Sequence, residues 1–220
     1  MKYLIPLLAL TFLAGCETTP PTVQTGPNAE ITFDGLHRVD DSYMQYAWVK
    51  PNISLAGYTK IKLVSAGIEY REVKSPSSAN TGATEFPLTE KQKASLESLS
   101  QEVFREELGK SKSFTLVSEP GPDVLTITGG LFDVVSAIPP EKTGRSDYYI
   151  SKIGSAKLVL ELRDSRSNEI LARAVDGLGV APVVMQKSYP GTNAMEVKRE
   201  FRKWGKRLTE TLDQLHEGNR

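Results

Sequence analysis

Ser155-Ala156-Lys157-Leu158-Val159-Leu160-Glu161-Leu162-Arg163-Asp164 is followed by Ser165-Arg166-Ser167-Asn168, then by Glu169-Ile170-Leu171-Ala172-Arg173-Ala174-Val175-Asp176. In the first run Leu158, Leu160 and Leu162 share one face of an extended chain, because side chains of a strand alternate sides. The middle run is turn chemistry, made of short polar side chains that bond nearby backbone groups. The last run returns as a partner strand, so the three together predict an antiparallel hairpin.

Working outward, Val124 to Ala137 and Phe114 to Val117 read as further strands, separated by Glu119-Pro120-Gly121-Pro122-Asp123. Leu125 and Ile127 alternate with Thr126 and Thr128, and Gly129-Gly130 predicts a bend or a close backbone approach. Before them, Thr89-Glu90-Lys91-Gln92 has the spacing of a capping box. Leu96, Leu99, Val103 and Leu108, with Phe104 beside them, recur at helical spacing, and Gly109 follows as the C-cap. Gly109-Lys110-Ser111 is not a phosphate loop, because Phe104 stands where its first glycine belongs and the triplet ends a helix. Earlier still, Lys60 to Arg71 alternates as a half-buried strand with a bulge at Gly67, and Tyr46-Ala47-Trp48-Val49 is extended up to Pro51. Lys74 to Pro87 and Ile138 to Ile153 read as long loops, the second with paired Tyr148 and Tyr149.

Beyond the hairpin, Val180 to Met185 is apolar around Pro182 and is expected to pack into the core as a covered edge strand. The rival is an exposed contact surface. Asn193 with Glu196 predicts the cap of a last helix, whose stripe is Val197, Phe201, Trp204, Leu208, Leu212 and Leu215. Flanking that stripe are Lys198, Arg199, Arg202, Lys203, Lys206 and Arg207, with only Glu200 opposing them inside the span. They are either a candidate contact for anionic headgroups or a solvated face whose long side chains cover apolar rims; the solvated face is favoured.

At the other end, Lys2 precedes an apolar run from Tyr3 to Leu13, too short to cross a bilayer core, which takes about 20 apolar residues. It fits a secretory signal. Leu13-Ala14-Gly15-Cys16 resembles the lipobox of bacterial lipoproteins, which implies cleavage before Cys16 and lipidation of its sulfur and amine. Each buried methylene contributes roughly 0.8 kcal/mol, so two or more chains hold stably. By the same likeness Glu17, in place of the Asp that favours inner-membrane retention, implies the inner leaflet of the outer membrane. Glu17 to Glu30 has three prolines, four threonines and no aromatic residue. It reads as a flexible tether, reaching on the order of 40 Å if extended at about 3.1 Å per residue.

The totals are 27 basic and 27 acidic residues; removing Met1 to Gly15 takes away only Lys2 and leaves 26 against 27. So balanced a chain has no field to gather nucleic acid. With its one cysteine carrying lipid, it has no thiol left for an intramolecular disulfide or a Cys/His zinc site. His37 and His216 belong to no ligand-spaced cluster, no Gly-x-Ser-x-Gly elbow is present, and no cofactor is implied.

Val49-Lys50-Pro51 through Leu55-Ala56-Gly57-Tyr58, Glu119 to Leu125, Leu160 to Ser165 and Glu169 to Asp176 together resemble the bacterial lipoproteins catalogued as a domain of unknown function (thirty-three thirteen). The likeness runs from about Phe33 to the last helix. It implies location and fold, and no catalytic residues.

The expected organisation is a signal peptide over 1–15, a lipidated cysteine and tether over 16–30, and a single periplasmic α+β domain over 31–220. In that domain a mostly antiparallel sheet carries two amphipathic helices packed on one face. The expected role is a non-catalytic, lipid-anchored envelope protein on the outer membrane, facing the periplasm. Its partners are the membrane through Cys16 and an envelope protein. The alternative is a ligand-binding or hydrolytic domain with a pocket near the 138–153 loop.

Overall fold

The computed structural model describes residues 19–73, 83–139 and 149–218. Its strands are β1 (Thr22–Val23), β2 (His37–Asp40), β3 (Tyr46–Val49), β4 (Lys60–Tyr70), β5 (Thr115–Val117), β6 (Val124–Ser136), β7 (Tyr149–Ile150), β8 (Gly154–Asp164), β9 (Ile170–Val180) and β10 (Gln186–Lys187). Helix α1 (Glu90–Leu108) lies between β4 and β5, and α2 (Pro190–Glu217) follows β10. The fold is α+β, with two helices and a large mixed sheet that is mostly antiparallel.

The hairpin is the centre of that sheet. β8 and β9 pair antiparallel from Gly154↔Val180 to Arg163↔Ile170, four residues further along β9 than the pattern to Asp176 anticipates. Gly177 and Gly179 break the apolar alternation there, yet their backbone still pairs. Asp164 closes the turn: its Oδ1 accepts from Arg166 N (2.9 Å), Ser167 N (2.7 Å) and Ser167 Oγ (2.9 Å). Its Oδ2 accepts from the half-buried Tyr58 hydroxyl at 2.9 Å. Ser165 Oγ both accepts from Gly121 N and donates to Gly121 O, joining this turn to the Pro120–Pro122 turn.

These bonds give the turn a pH dependence. The Ser167 amide, followed by the other donors, brings the Asp164 carboxyl down to about 2, while burial and then Asp164 push Tyr58 up to about 12. A carboxyl lowered by folding adds stability above its unfolded value near 3.9, and that stability is lost as pH falls through 2. A phenol raised by folding adds stability below pH 10 that is lost as pH rises through about 12. Asp164→Asn is therefore expected to cost about 1–2 kcal/mol at pH 7 in urea unfolding and far less at pH 2. An equal deficit at both pH values would rule out the charge as the cause.

On one side of the hairpin β6 runs antiparallel to β8, and β4 runs parallel to both β6 and β5. The chain leaves β4, descends α1 and re-enters at β5 before reaching β6, which puts β4 between two later strands. Opposite Gly129 and Gly130, the β4–β6 register slips between Ser65 and Gly67, with Gly67 at φ +89°. A Cβ on Gly130 would stand 3.1 Å from Ala66 Cβ, so both the bulge and the expected close approach are present. On the other side β9, β3, β2 and β1 follow in order. Part of the expected tether is thus edge strand: Thr22↔Asp40 and Val23↔Val39 pair antiparallel, and Gln24 N donates to Arg38 O. A proline-rich, threonine-rich run buries little, but an open strand edge offers it backbone bonds.

The core joins Leu125, Ile127, Leu158, Leu160, Leu162 and Leu171 of the sheet to Val103, Phe104 and Leu108 of α1 and Phe201, Trp204 and Leu212 of α2. α1 has the expected capping box at Thr89 and Gln92, and its C-cap is Gly109. The start of α2 differs from expectation. Tyr189 is the N-cap and Pro190 the first helical residue, a place where proline's fixed φ is favourable. Asn193 is already inside the helix, buried, with Nδ2 donating to Ser188 Oγ at 2.9 Å.

Val180 to Met185 also departs from expectation. β9 ends at the buried Val180, and Val183, Val184 and Met185 are 83%, 69% and 68% exposed, so Val183 to Met185 do not pack into the core. Hydrophobicity favoured burial, but the run lies beyond the last paired residue of β9, past the reach of the sheet's neighbours. Of the two long loops, 74–82 and 140–148 lie outside the described residues, as does Tyr148. Phe86 at the edge of the first is buried and bridges Ser136; Ile150 and Ile153 of the second form a small cluster with Val180.

Candidate functional site

α2 runs beside α1, and that proximity answers the basic flank. Lys198 pairs with Glu102 at 2.7 Å; Arg202 reaches Glu106 at 3.5 Å and Glu107 at 4.0 Å; Arg207 meets Asp176 at 3.2 Å. Within α2, Arg199 pairs with Glu196 and with Glu200 (3.0 Å), Lys203 with Glu200 (2.8 Å) and Lys206 with Glu210 (3.7 Å). Burial would raise the Glu200 carboxyl, but Lys203 and Arg199 outweigh it and hold it below its ordinary value. All six cations thus have carboxylate partners. Glu102, Glu106, Glu107 and Asp176 among those partners lie on α1 or β9, invisible to a window along α2. Lys198, Arg199, Arg202, Lys203 and Lys206 border an open concavity of about 460 Å³, lined also by Met195 and the buried Glu107. Its positive charge is compensated by these carboxylates.

A second concavity, of about 390 Å³, lies at the β1 edge of the sheet, lined by Gln24, Glu30, Arg38, Asp40, Tyr46 and Trp48. Tyr46 and Trp48 are two residues apart on β3, so they project from the same side and stack at 6.1 Å. Arg38 lies opposite Trp48 in the register, and its guanidinium stands 4.6 Å and 4.9 Å from the two ring centroids. Gln24 closes the edge, donating Nε2–H to Asp40 Oδ1 at 2.8 Å. The ledge offers a planar cation backed by aromatic faces. Tyr46-x-Trp48 was a legible signal; Arg38 joins it only through strand pairing.

The third feature is apolar. Val183, Val184 and Met185 adjoin β10, which pairs with β7 through Lys187↔Tyr149 and Gln186↔Ile150. Tyr149 is 68% and Tyr189 49% exposed, and Lys187 Nζ stands 5.1 Å from the Tyr189 ring centroid. Neither concavity is lined by described residues of the 138–153 loop.

His37 Nδ1 lies 2.8 Å from Gln24 O, and His216 is buried edge-on against Phe114. Among the described residues no three His, Cys, Asp or Glu side chains are grouped to hold a metal ion, and no helix is long and apolar enough to cross a membrane. Leu13, Ala14, Gly15 and Cys16 lie outside the described residues.

The family model described as "Protein of unknown function (DUF3313)" matches residues 31–208, from the loop before β2 into the last turns of α2. The chain belongs to this family. The family match covers the whole sheet except β1, together with both helices up to Leu208. Among solved structures, the family member is similar to protein XCC0632 from Xanthomonas campestris at 9% identity and TM-score 0.40, over 78% of this chain and 92% of that one. A putative neuraminyllactose-binding hemagglutinin homolog from Helicobacter pylori matches at 16% identity and TM-score 0.41, over 76% and 94%. The PelC dodecamer from Paraburkholderia phytofirmans matches at 13% identity and TM-score 0.34, over 73% and 96%. No curated protein matches the chain.

Proposed function

We propose that the protein is a lipid-anchored, non-catalytic envelope protein on the periplasmic face of the outer membrane, working through surface contacts. The observation that carries it is the chain's one cysteine, Cys16, standing directly behind Leu13-Ala14-Gly15 at the end of an apolar run. Acyl chains on that thiol would hold a domain whose surface is otherwise charge-balanced. The exposed Val183-Val184-Met185 run supports a contact role, since an apolar run left in water at a strand end marks an interaction surface more often than a packing defect.

In this arrangement the two helices cover one face of the sheet. Leu158, Leu160 and Leu162 share a core with both helices, while Glu161 and Arg163 alternate to the other side. There Glu161 pairs with Arg163 (2.7 Å) and Arg173 (2.9 Å), and Arg173 with Asp34 (2.9 Å), a polar face held by ion pairs.

Metabolic labelling with palmitate tests the anchor. The parent is expected to take up label and fractionate with envelopes, and Cys16→Ser to do neither. An unlabelled parent, with Cys16→Ser still fractionating with envelopes, would sink the proposal.

A further inference from the structure

The register of the sheet fixes the direction in which a tethered Cys16 pulls the domain. β1, β2, β3 and β9 pair antiparallel in succession, so β1 runs opposite to β9. Read backward from Val23 to Thr22, the chain therefore heads toward the Val180 end of β9. Sheet twist of about 20–25° per strand accumulates over these three steps to less than a right angle, so the direction survives. Thr22 is opposite Asp40; Arg38 is opposite Trp48, which is opposite Arg173, so Thr22 stands near the level of Val175.

Lengths then decide the geometry. From Val175 to Val180 the sheet extends about 17 Å at ~3.3 Å per residue. From Thr22 back to Cys16 the chain can reach at most about 20 Å when fully extended. The pairing of Thr22 and Val23 has thus halved the reach that a free tether from Glu30 would have. Such a tether would clear the headgroups; this one brings the Val180 end of the sheet to the bilayer surface. The opposite end, at the Ser165–Asn168 turn, lies some 12 residues back along the chain from Val180, about 40 Å away.

The end drawn toward the membrane is the apolar one. Val183, Val184 and Met185 follow the last residue of β9 and are 68–83% exposed, and the exposed Tyr149 and Tyr189 lie opposite and two residues after Lys187 of β10. Lys187 lies over the Tyr189 ring. Apolar tips flanked by tyrosine and lysine match the headgroup boundary, where rings sit at the interface and ammonium groups reach back to water. We infer that Val183, Val184 and Met185, with Tyr149 and Tyr189, form a second membrane contact that dips into the bilayer surface and fixes the orientation of the domain on it. This rests on the lipid anchor proposed above.

The test uses full-length, lipidated protein reconstituted into vesicles of phosphatidylethanolamine and phosphatidylglycerol. An environment-sensitive fluorophore is placed at Val184→Cys or, at the far turn, at Ser167→Cys. The expected result is a blue-shifted Val184 probe quenched by lipids carrying a nitroxide in the upper acyl chain, and an unshifted, unquenched Ser167 probe. Replacing Val183 and Met185 by Asp is expected to abolish the shift without releasing the protein. Protein that floats with vesicles while both probes stay aqueous would overturn the contact and leave the anchor standing. Protein that fails to float would overturn both. A Val184 probe already shifted without vesicles would overturn it in favour of a protein partner or a second copy.

Discussion

Trp204→Ala is expected to lower the unfolding free energy by about 3–5 kcal/mol, read from the urea midpoint by circular dichroism. The indole is 3% exposed and stacks on Phe201 at 6.1 Å, and Phe201 packs on Phe104 of α1 at 6.3 Å. Truncation opens a cavity where α2, α1 and the sheet meet. It also removes a bond, because Trp204 Nε1–H donates to Asp176 Oδ2 at 2.8 Å. Asp176 keeps Arg207 Nη1–H at 3.2 Å and Gln45 N–H at 3.2 Å, so the carboxylate is weakened and not stranded. Trp204→Phe retains most of the volume and loses the donor, at an expected cost of about 1.5–3 kcal/mol. Phe as damaging as Ala would show that the hydrogen bond, and not the filled volume, holds α2 in place.

The second large effect is at Gly205, one residue on. A Cβ there would stand 2.8 Å from Glu107 Cβ and 3.0 Å from Glu107 Cγ. Those atoms sit at the root of a side chain on α1 and cannot swing away. The helices touch through this gap, and Thr209 seals it by donating Oγ–H to Gly205 O (2.9 Å) and Glu107 O (3.2 Å). Alanine at an open helix position gains about 1 kcal/mol over glycine. Here the clash outweighs that gain: Gly205→Ala is expected to destabilise, and Gly205→Leu to cost about 3 kcal/mol or more. Glu107→Gly removes both obstructing carbons, so adding it to Gly205→Ala should recover part of the loss in a double-mutant cycle. Additive losses would show that the two helices are not in contact here.

Both sites show what a linear pattern carries. Trp204 fell in the apolar stripe of α2 and could be assigned to the core from spacing alone. Its partner Asp176 read only as the end of a strand. Gly205 gave no signal, because its meaning depends on Glu107, 98 positions earlier in the chain. The basic flank of α2 is the same case: Lys198 and Arg202 looked unopposed until α1 brought Glu102, Glu106 and Glu107 alongside. The Arg38 ledge likewise waited for β2 to find β3.

By itself the sequence determined what depends on neighbours a few residues apart. The alternation of Leu158, Leu160 and Leu162 makes a strand, Asp164 to Asn168 makes its turn, Thr89 with Gln92 starts α1, and Gly67 with Gly129-Gly130 marks the bulge. Each is decided by local backbone geometry and short-range hydrogen bonds, which a one-dimensional pattern carries intact. Tertiary structure alone decided the parallel placement of β4, the recruitment of Thr22–Val23 as an edge strand, the start of α2 at Pro190 and the exposure of Val183 to Met185. In each of these several local options lie within a few kcal/mol, and the choice falls to whichever backbone edge or apolar face the rest of the chain leaves within reach.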